Sequence, residues 1–488
     1  MKSKLLILVS IALTLRAQAI TGLWKMEPVD NNWANGANWT SGSTPSDAIL
    51  GVSHITALVN QGNAASITFN KGASAYTIGA AVTNPLITGL GLINNSSVSQ
   101  NFSSAPFSAY FFENNAAITG DVFMTLNSNG GAYFLNTASA GSGNLLCHPA
   151  SFVTFGDDAI AGNSMITLEG GGSGSSAGFY ENAGGGSATI IAEGSDNLNE
   201  FGGLVVFSDQ SRAQDATLIA EGELGKIGGE ISFNASSTGD GASVKVVGSG
   251  ILNIQTVMGS SLTIGSLEGD GLVLLGSKGL VVGGNNANTT FRGLIDESGS
   301  LTKVGVGGLV LAGANTYTGG TIVQQGRLLT NNTIGSATGT GLVQVNRGSF
   351  GGNGIVTGGV TVGDGSSSGS TLAPGINDTG LLTIQSGLTF KANSRYNWNV
   401  EATAVKADET VALGVTIEIG ALFQIFGRGS VPLPIGTVFT AISNTAATPI
   451  AGTFSNLADG STVTVGNNTF QADYEGGDGN DLTLTVVP

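Results

Sequence analysis

The chain has 488 residues, of which 78 are Gly and only 10% are charged, and its formal net charge is -16. With 41% hydrophobic residues the chain can bury a core, which excludes a disordered protein. The acidic balance argues against proteins that bind nucleic acid or anionic membrane surfaces, because both tasks need clustered Lys and Arg. Abundant Gly with few charges predicts many tight turns between short strands.

The first 19 residues have the pattern of a secretory signal peptide. Lys2 and Lys4 precede an apolar run at 5–15, which is too short to span a bilayer, and an Ala-Gln-Ala cleavage site follows at 17–19. We therefore expect cleavage after Ala19 and export across the inner membrane, with no transmembrane span in the mature chain. The alternative is an uncleaved anchor or a cytosolic start. Since Cys147 is the only cysteine, no intramolecular disulfide is expected.

Residues 20–60 hold three of the four tryptophans, Trp24, Trp33 and Trp39. A solenoid end exposes unpaired strand edges and an open core, so it needs a lid. We predict that this Trp-rich segment is the N-terminal cap. The alternative is a carbohydrate platform, on which sugars would stack against the indole rings.

The middle of the chain is repetitive. Three columns of residues recur at common spacings of 24 to 28 residues: Phe155, Phe179, Phe207 and Phe233; Ile166, Ile190, Leu218 and Val244; and Glu169, Glu193 and Glu221. A unit of this size cannot bury its own apolar face, but stacked units can. The columns predict an all-β fold, a parallel β-helix over residues 61–400 in which Phe stacks on Phe. Residues 401–488, with longer apolar runs, are predicted to form C-terminal coils and a second cap.

Three stretches contain residue types that can carry chemistry. Cys147-His148 suggests a thiol–imidazole pair, but neighbours in a strand point to opposite faces. Asp157-Asp158 resembles the paired acids of glycan-cleaving enzymes, yet no basic residue follows within fifty positions, and turn chemistry is the preferred interpretation. The segment Glu475–Asp481 contains one G-G-x-G-x-D element, interpreted as an acidic turn rather than a calcium site. We therefore assign no catalytic, cofactor-binding or metal-ligating residue and expect no cofactor.

Leu301 to Leu329, LTKVGVGGLVLAGANTYTGGTIVQQGRLL, closely resembles the autotransporter-associated β-strand repeat, also called the passenger-associated transport repeat. The resemblance covers roughly residues 155–488 and is most specific in GANTYTGGT, at 313–321. It implies a right-handed, pectin-lyase-like parallel β-helix in an exported bacterial protein. In relatives a C-terminal β-barrel carries such repeats across the outer membrane. The residues from Gly420 to Pro488 are too few for one, so a separate secretion partner is expected.

The sequence therefore predicts an exported, non-catalytic protein that is structural or adhesin-like, at the cell surface or outside the cell, with the periplasm as the alternative. Its partners would be extracellular glycans or cell-surface components, contacted at many weak sites along the rod. The alternative function is a polysaccharide lyase or glycoside hydrolase on the same fold, which fold alone cannot decide. A purely structural filler in a surface layer is the third possibility.

Overall fold

The structure is a computed structural model that describes residues 19–81, 84–366, 369–429 and 431–488. Within these ranges the chain forms 47 short strands and one 3-10 turn, Gly36–Asn38, with no α-helix. The all-β, parallel β-solenoid prediction is confirmed, with about 17 turns of solenoid. The described ranges therefore contain no helix that is long and apolar enough to cross a membrane. The predicted signal peptide falls on residues 1–18, which lie outside the described residues, and stays a prediction.

The strands alternate buried and outward-facing side chains, as the pleat requires. The strands of the first part are β1 Thr21–Leu23, β2 Asp47–Leu50, β3 Ala57–Gln61, β4 Ala64–Phe69, β5 Thr77–Ala80, β6 Leu86–Asn94, β7 Gln100–Ser103, β8 Ala109–Phe112, β9 Ala117–Thr119, β10 Val122–Leu126, β11 Gly131–Phe134, β12 Asn144–Cys147, β13 Phe152–Phe155, β14 Met165–Leu168, β15 Ser176–Phe179 and β16 Thr189–Ala192.

The strands of the second part are β17 Leu204–Phe207, β18 Thr217–Gly222, β19 Glu230–Phe233, β20 Ser243–Gly248, β21 Ile251–Asn253, β22 Ser261–Ile264, β23 Ser266–Gly269, β24 Leu272–Leu274, β25 Gly279–Val282, β26 Thr289–Phe291, β27 Leu294–Asp296, β28 Ser300–Lys303, β29 Gly308–Leu311, β30 Thr321–Val323, β31 Arg327–Thr330 and β32 Val343–Val345.

The strands of the last part are β33 Gly348–Gly352, β34 Ile355–Val356, β35 Val360–Val362, β36 Ser370–Pro374, β37 Leu381–Ile384, β38 Leu388–Phe390, β39 Arg395–Glu401, β40 Lys406–Ala407, β41 Glu409–Ala412, β42 Val415–Ile417, β43 Leu422–Arg428, β44 Val438–Asn444, β45 Thr462–Val465, β46 Asn468–Gly476 and β47 Asp481–Val487.

Two long parallel sheets form the N-terminal half of the rod. One runs from β1 through β11, β13, β15, β17 and β19 to β27, and the other contains β10, β12, β14, β16, β18 and β20. Both pair coil on coil without a register shift in the repetitive region, for example Phe155 with Phe179 and Ile166 with Ile190. Along the third side, successive coils are joined by single bridges such as Ile160 to Gly184.

The predicted Phe column is the core of this half, and it is longer than the sequence prediction. Six buried rings stack on successive coils, with neighbouring centroids 4.5 to 5.1 Å apart: Phe112, Phe134, Phe155, Phe179, Phe207 and Phe233. The stack forms because in-register parallel pairing places like on like at the strand spacing. Each such pair contributes about 0.5–1.5 kcal/mol beyond burial.

Toward the C-terminal half of the rod, new sheets replace those of the N-terminal half. A third parallel sheet starts at β22 and runs to β42, while a fourth starts at β34 and ends with β44, β47, β46 and β45. Those last four strands pair antiparallel, which is how the longer apolar runs after residue 401 are accommodated. The predicted domain boundaries and the right-handed sense of the coil stay predictions.

Candidate functional site

The three N-terminal tryptophans do not form a sugar platform, and that alternative is wrong. Trp24, Trp33 and Trp39 are at most 1% exposed. The Trp39 ring packs edge-on against Trp24 at 5.0 Å and against Trp33 at 4.7 Å, and its Nε1 donates to the Trp33 carbonyl at 2.8 Å. The indoles are core of the first coils, and their role as an end cap stays a prediction.

Cys147 and His148 lie on opposite faces of the end of β12. Cys147 is fully buried in the column of Leu126 and Leu168, and burial raises the pKa of its thiol to about 12. His148 Nδ1 lies outside, 2.8 Å from Glu169 Oε2. The arrangement does not join thiol and imidazole into a nucleophilic pair.

Asp157 is part of a hydrogen-bonded column that turns the corner two residues after each stacked Phe. Asn114, Asn136, Asp157, Glu181 and Asp209 all have φ between 54° and 59°. In the first four of these residues the backbone N–H donates to the side chain of the equivalent residue one coil later, at 2.7 to 3.3 Å. This use of Asp157 is structural, as the turn interpretation predicts, and we call the column the corner ladder.

The acidic segment at the C-terminus is a turn between β46 and β47. Asp481 accepts a hydrogen bond from the Asn444 N–H at 2.8 Å, which ties the turn to β44. The structure instead places Glu475 beside Asp459 and Asp473, with carboxylate oxygens within 4.8 Å of one another and all three residues exposed. An exposed acidic trio is common without an ion, so it supports no metal assignment.

The most specific stretch of the sequence contains a buried lysine. Lys303 occupies a core column between Val282 and Val323 and is 1% exposed. Its Nζ donates to the carbonyl oxygens of Val304, Gly305 and Gln325. Burial lowers the pKa of this ammonium to about 8. The lysine ties two coils together and offers no group to solvent.

The outer face of the first long sheet carries a strip of aromatic side chains that sequence reasoning missed. Phe111 stacks on Tyr133 at 4.7 Å, and Tyr133 meets Phe152 edge-on at 5.1 Å. Tyr180 directly follows β15, two strands along the sheet from the β11 strand of Tyr133, and it is exposed. We call Phe111, Tyr133, Phe152 and Tyr180 the aromatic strip.

Two glycines let rings of the strip lie flat on the sheet. A Cβ on Gly131 would meet the Phe152 ring at 2.5 Å, and a Cβ on Gly178 would meet the Tyr180 ring at 2.5 Å. Each ring therefore covers a glycine of its own coil or the preceding one and turns a face outward. The signal was present in the sequence, because these aromatics alternate with the buried Phe column and so must face outward.

Comparison with known proteins bears on the stretch that contains Lys303. The family model described as Passenger-associated-transport-repeat matches residues 301–329, which are β28 to β31 and the loops between them. We call residues 301–329, which resemble this family, the transport repeat. Its β28 and β29 pair in parallel with β25 and β26 of the preceding coil, and its β30 and β31 pair with its own β28 and β29. The transport repeat therefore spans two successive layers of the solenoid.

Two individual proteins are similar to parts of the chain. The Adhesin BmaC autotransporter of Brucella suis biovar 1 (strain 1330) is 36% identical over 119 residues, which is 24% of this chain and 3% of that protein. The crystal structure of the Haemophilus influenzae Hap adhesin covers 90% of this chain and 63% of its own, at 11% identity and a TM-score of 0.28. This second likeness carries no argument about fold or function. The chain thus spans a small part of the curated relative it matches.

Proposed function

We propose that this chain is an exported, non-catalytic rod that acts as a structural or adhesin-like protein at the cell surface or outside the cell. The transport repeat and the similarity to an adhesin, 36% identical over 119 residues, support this class. A separate secretion partner would complete its export. The rod would bind by many weak contacts, whose joint strength exceeds that of any one.

The aromatic strip is the observation that carries the proposal. Phe152 and Tyr180, which lie over glycines of the sheet, offer apolar faces for the C–H faces of sugar rings. Phe111 and Tyr133 stack on each other and add their ring edges and the Tyr133 hydroxyl. Aromatic side chains on a preorganised scaffold lose little entropy on binding. Since the strip has no cation in its strands β8, β11, β13 and β15, a neutral extracellular glycan is the partner that fits.

Affinity electrophoresis of the mature chain in gels with neutral polysaccharides tests this function. The chain should be retarded by at least one polysaccharide, and Tyr133→Ser with Phe152→Ser should abolish the retardation. Phe426→Ser, which removes a partly exposed ring at the other end of the rod, is the matched control. Equal retardation of both variants would contradict the assignment of the strip, and new reducing ends or unsaturated products would replace binding with catalysis.

Location is tested separately on native cells. An antibody to the mature chain should detect antigen that protease removes from intact cells. Antigen that is confined to the periplasm would contradict the surface role.

A further inference from the structure

Two neighbouring coils carry long loops on one side of the rod, where most coils turn within a few residues. The loops are residues 193–203, between β16 and β17, and 223–229, between β18 and β19. They are joined to each other, since the Ser195 N–H donates to the Ile227 carbonyl at 2.9 Å and Lys226 Nζ donates to the Asp196 carbonyl at 2.8 Å. A third loop supports them, because Phe201 exchanges backbone hydrogen bonds with Gly171 and Gly172. The loops therefore form one braced projection.

Between the loops lies a groove of about 340 Å³, lined by Glu193, Asp196, Glu221, Glu223 and Val247 and by two glycines, Gly194 and Gly222. We call it the acidic groove. Its glycines cannot be replaced freely, because a Cβ on Gly194 would lie 2.5 Å from the Ile227 carbonyl oxygen. The close approach of the two loops thus fixes the shape of the groove.

The charge of the groove is not balanced within the described part of the chain. Glu169, Glu193 and Glu221 directly follow the paired residues Leu168, Ala192 and Ala220, so they stack on successive coils. At one end His148 contacts Glu169, and Lys226 pairs with Asp196. Neither Glu193 nor Glu221 has an ion-pair partner among the described residues. Burial, with Glu169 and Glu221 nearby, raises the pKa of Glu193, so a cation brought to the groove would relieve repulsion.

The two loops that flank the groove also carry exposed apolar side chains, which we call the apolar rim. Leu198 is 63% exposed, Phe201 66% and Leu224 82%, and all three belong to the two joined loops. Large apolar side chains held in water on a braced projection mark an interaction surface. A neutral glycan would leave the carboxylates unpaired, and a bare metal ion would leave the apolar rim in water.

We propose that the acidic groove and its rim dock a basic polypeptide segment in which Lys or Arg residues stand beside apolar residues. The cationic groups would enter the groove between Glu193, Glu221 and Glu223, and the apolar residues would cover the rim. The charges are complementary, which steers encounter and fixes register. This surface lies on the loops rather than on the sheet face, so the inference is independent of the glycan contacts proposed above.

Fluorescence anisotropy of the mature chain with a labelled peptide of alternating Arg, Leu and Ser tests the docking. The peptide should bind at low salt and release as salt rises, because the paired charges are partly exposed. Versions with Glu in place of Arg, or Ser in place of Leu, should bind at least about tenfold more weakly. The variant with Glu193→Gln, Glu221→Gln and Glu223→Gln should lose about tenfold or more in affinity, and Leu224→Ser with Phe201→Ser a similar amount.

The matched control removes the same charge elsewhere, with Glu113→Gln, Glu475→Gln and Asp478→Asn, and should bind as the wild type does. Equal binding by the groove variant would overturn the proposal, and so would binding that the apolar half of the peptide does not affect. Saturation of the groove by CaCl2 alone, with loss of peptide binding at millimolar Ca²⁺, would replace the peptide by a metal. Circular dichroism establishes that each variant is folded, and retardation by polysaccharide should persist in all of them.

Discussion

The Glu181 carboxylate accepts a hydrogen bond from the backbone N–H of Asp157, in the preceding coil of the rod, at 2.7 Å. The donor belongs to a residue with φ of 54° and the acceptor to one with φ of 57°. Both residues are thus held in a left-handed conformation that non-glycine residues rarely adopt. The hydrogen bond offsets the cost of the corner, which explains why Asn, Asp and Glu occupy it.

Glu181→Ala should remove this bond and cost about 1–2 kcal/mol of unfolding free energy, because the charge-assisted bond is lost while the backbone remains left-handed. Amide hydrogen exchange should speed up at Asp157 and its neighbours. Glu113→Ala removes a carboxylate that is outside the ladder and should leave exchange unchanged. Identical protection at Asp157 in both variants would contradict the ladder.

Phe179→Ala should be far more destabilising, by about 3–5 kcal/mol, because it opens a cavity in the stack and removes two ring contacts. Phe201→Ala, at an exposed ring, should change stability by less than about 0.5 kcal/mol. Thermal unfolding of the two variants measures the difference. The idea fails if their midpoints are alike.

Lys303 gives the rod a pH dependence on the alkaline side. Its pKa is about 8 in the fold against the ordinary 10.5, so between these values the unfolded chain binds more protons and stability rises with pH. The free-energy cost of burying the charged Lys303 ammonium is fully present below about pH 8. This cost falls toward pH 10.5, by about 3 kcal/mol at most. Lys303→Met should abolish that rise in denaturant titrations, while Lys245→Met, at an exposed lysine, should keep it. Because the raised pKa of Cys147 opposes this rise above about pH 9, the Lys303 effect is measured as the difference between the wild-type and Lys303→Met curves. A difference that does not change between pH 8 and 10 would refute this.

The Cys147 thiol should be inert in the folded protein. It is buried and its pKa is raised to about 12, so the reactive thiolate is nearly absent at neutral pH. Iodoacetamide should label it only after denaturation. Stoichiometric labelling of the native chain would place the thiol at the surface.

Gly178→Ala should displace the Tyr180 ring, since the new methyl would lie 2.5 Å from it. We expect weaker retardation by polysaccharide with a change in tyrosine fluorescence. Gly62→Ala, where a Cβ meets nothing within 4 Å, is the control and should behave as the wild type. Unchanged retardation of the Gly178 variant would mean that the Tyr180 ring does not contribute to the binding face.

Residues that recur at regular spacings in the sequence predicted the fold. Contacts that depend on how irregular loops fold could not be predicted. Phe155 to Phe233 recur in the sequence, so their stacking could be inferred, and Phe112 and Phe134 extend the same column at slightly shorter spacings. The tryptophans could not be placed by composition, because Trp24 and Trp39 are brought together by a loop of irregular length. The acidic groove escaped because it depends on how two loops pair, through Ser195 and Ile227, which no local pattern encodes.

The corner ladder also gives the rod a direction. Each coil receives its corner acceptor from the coil that follows it in the chain, as Asn136 does from Asp157 and Asp157 does from Glu181. Removing coils from the C-terminal side leaves the corner N–H of the new last coil without its acceptor. Removing coils from the N-terminal side leaves the remaining ladder hydrogen bonds intact. A truncated rod should therefore unfold preferentially from its C-terminal end.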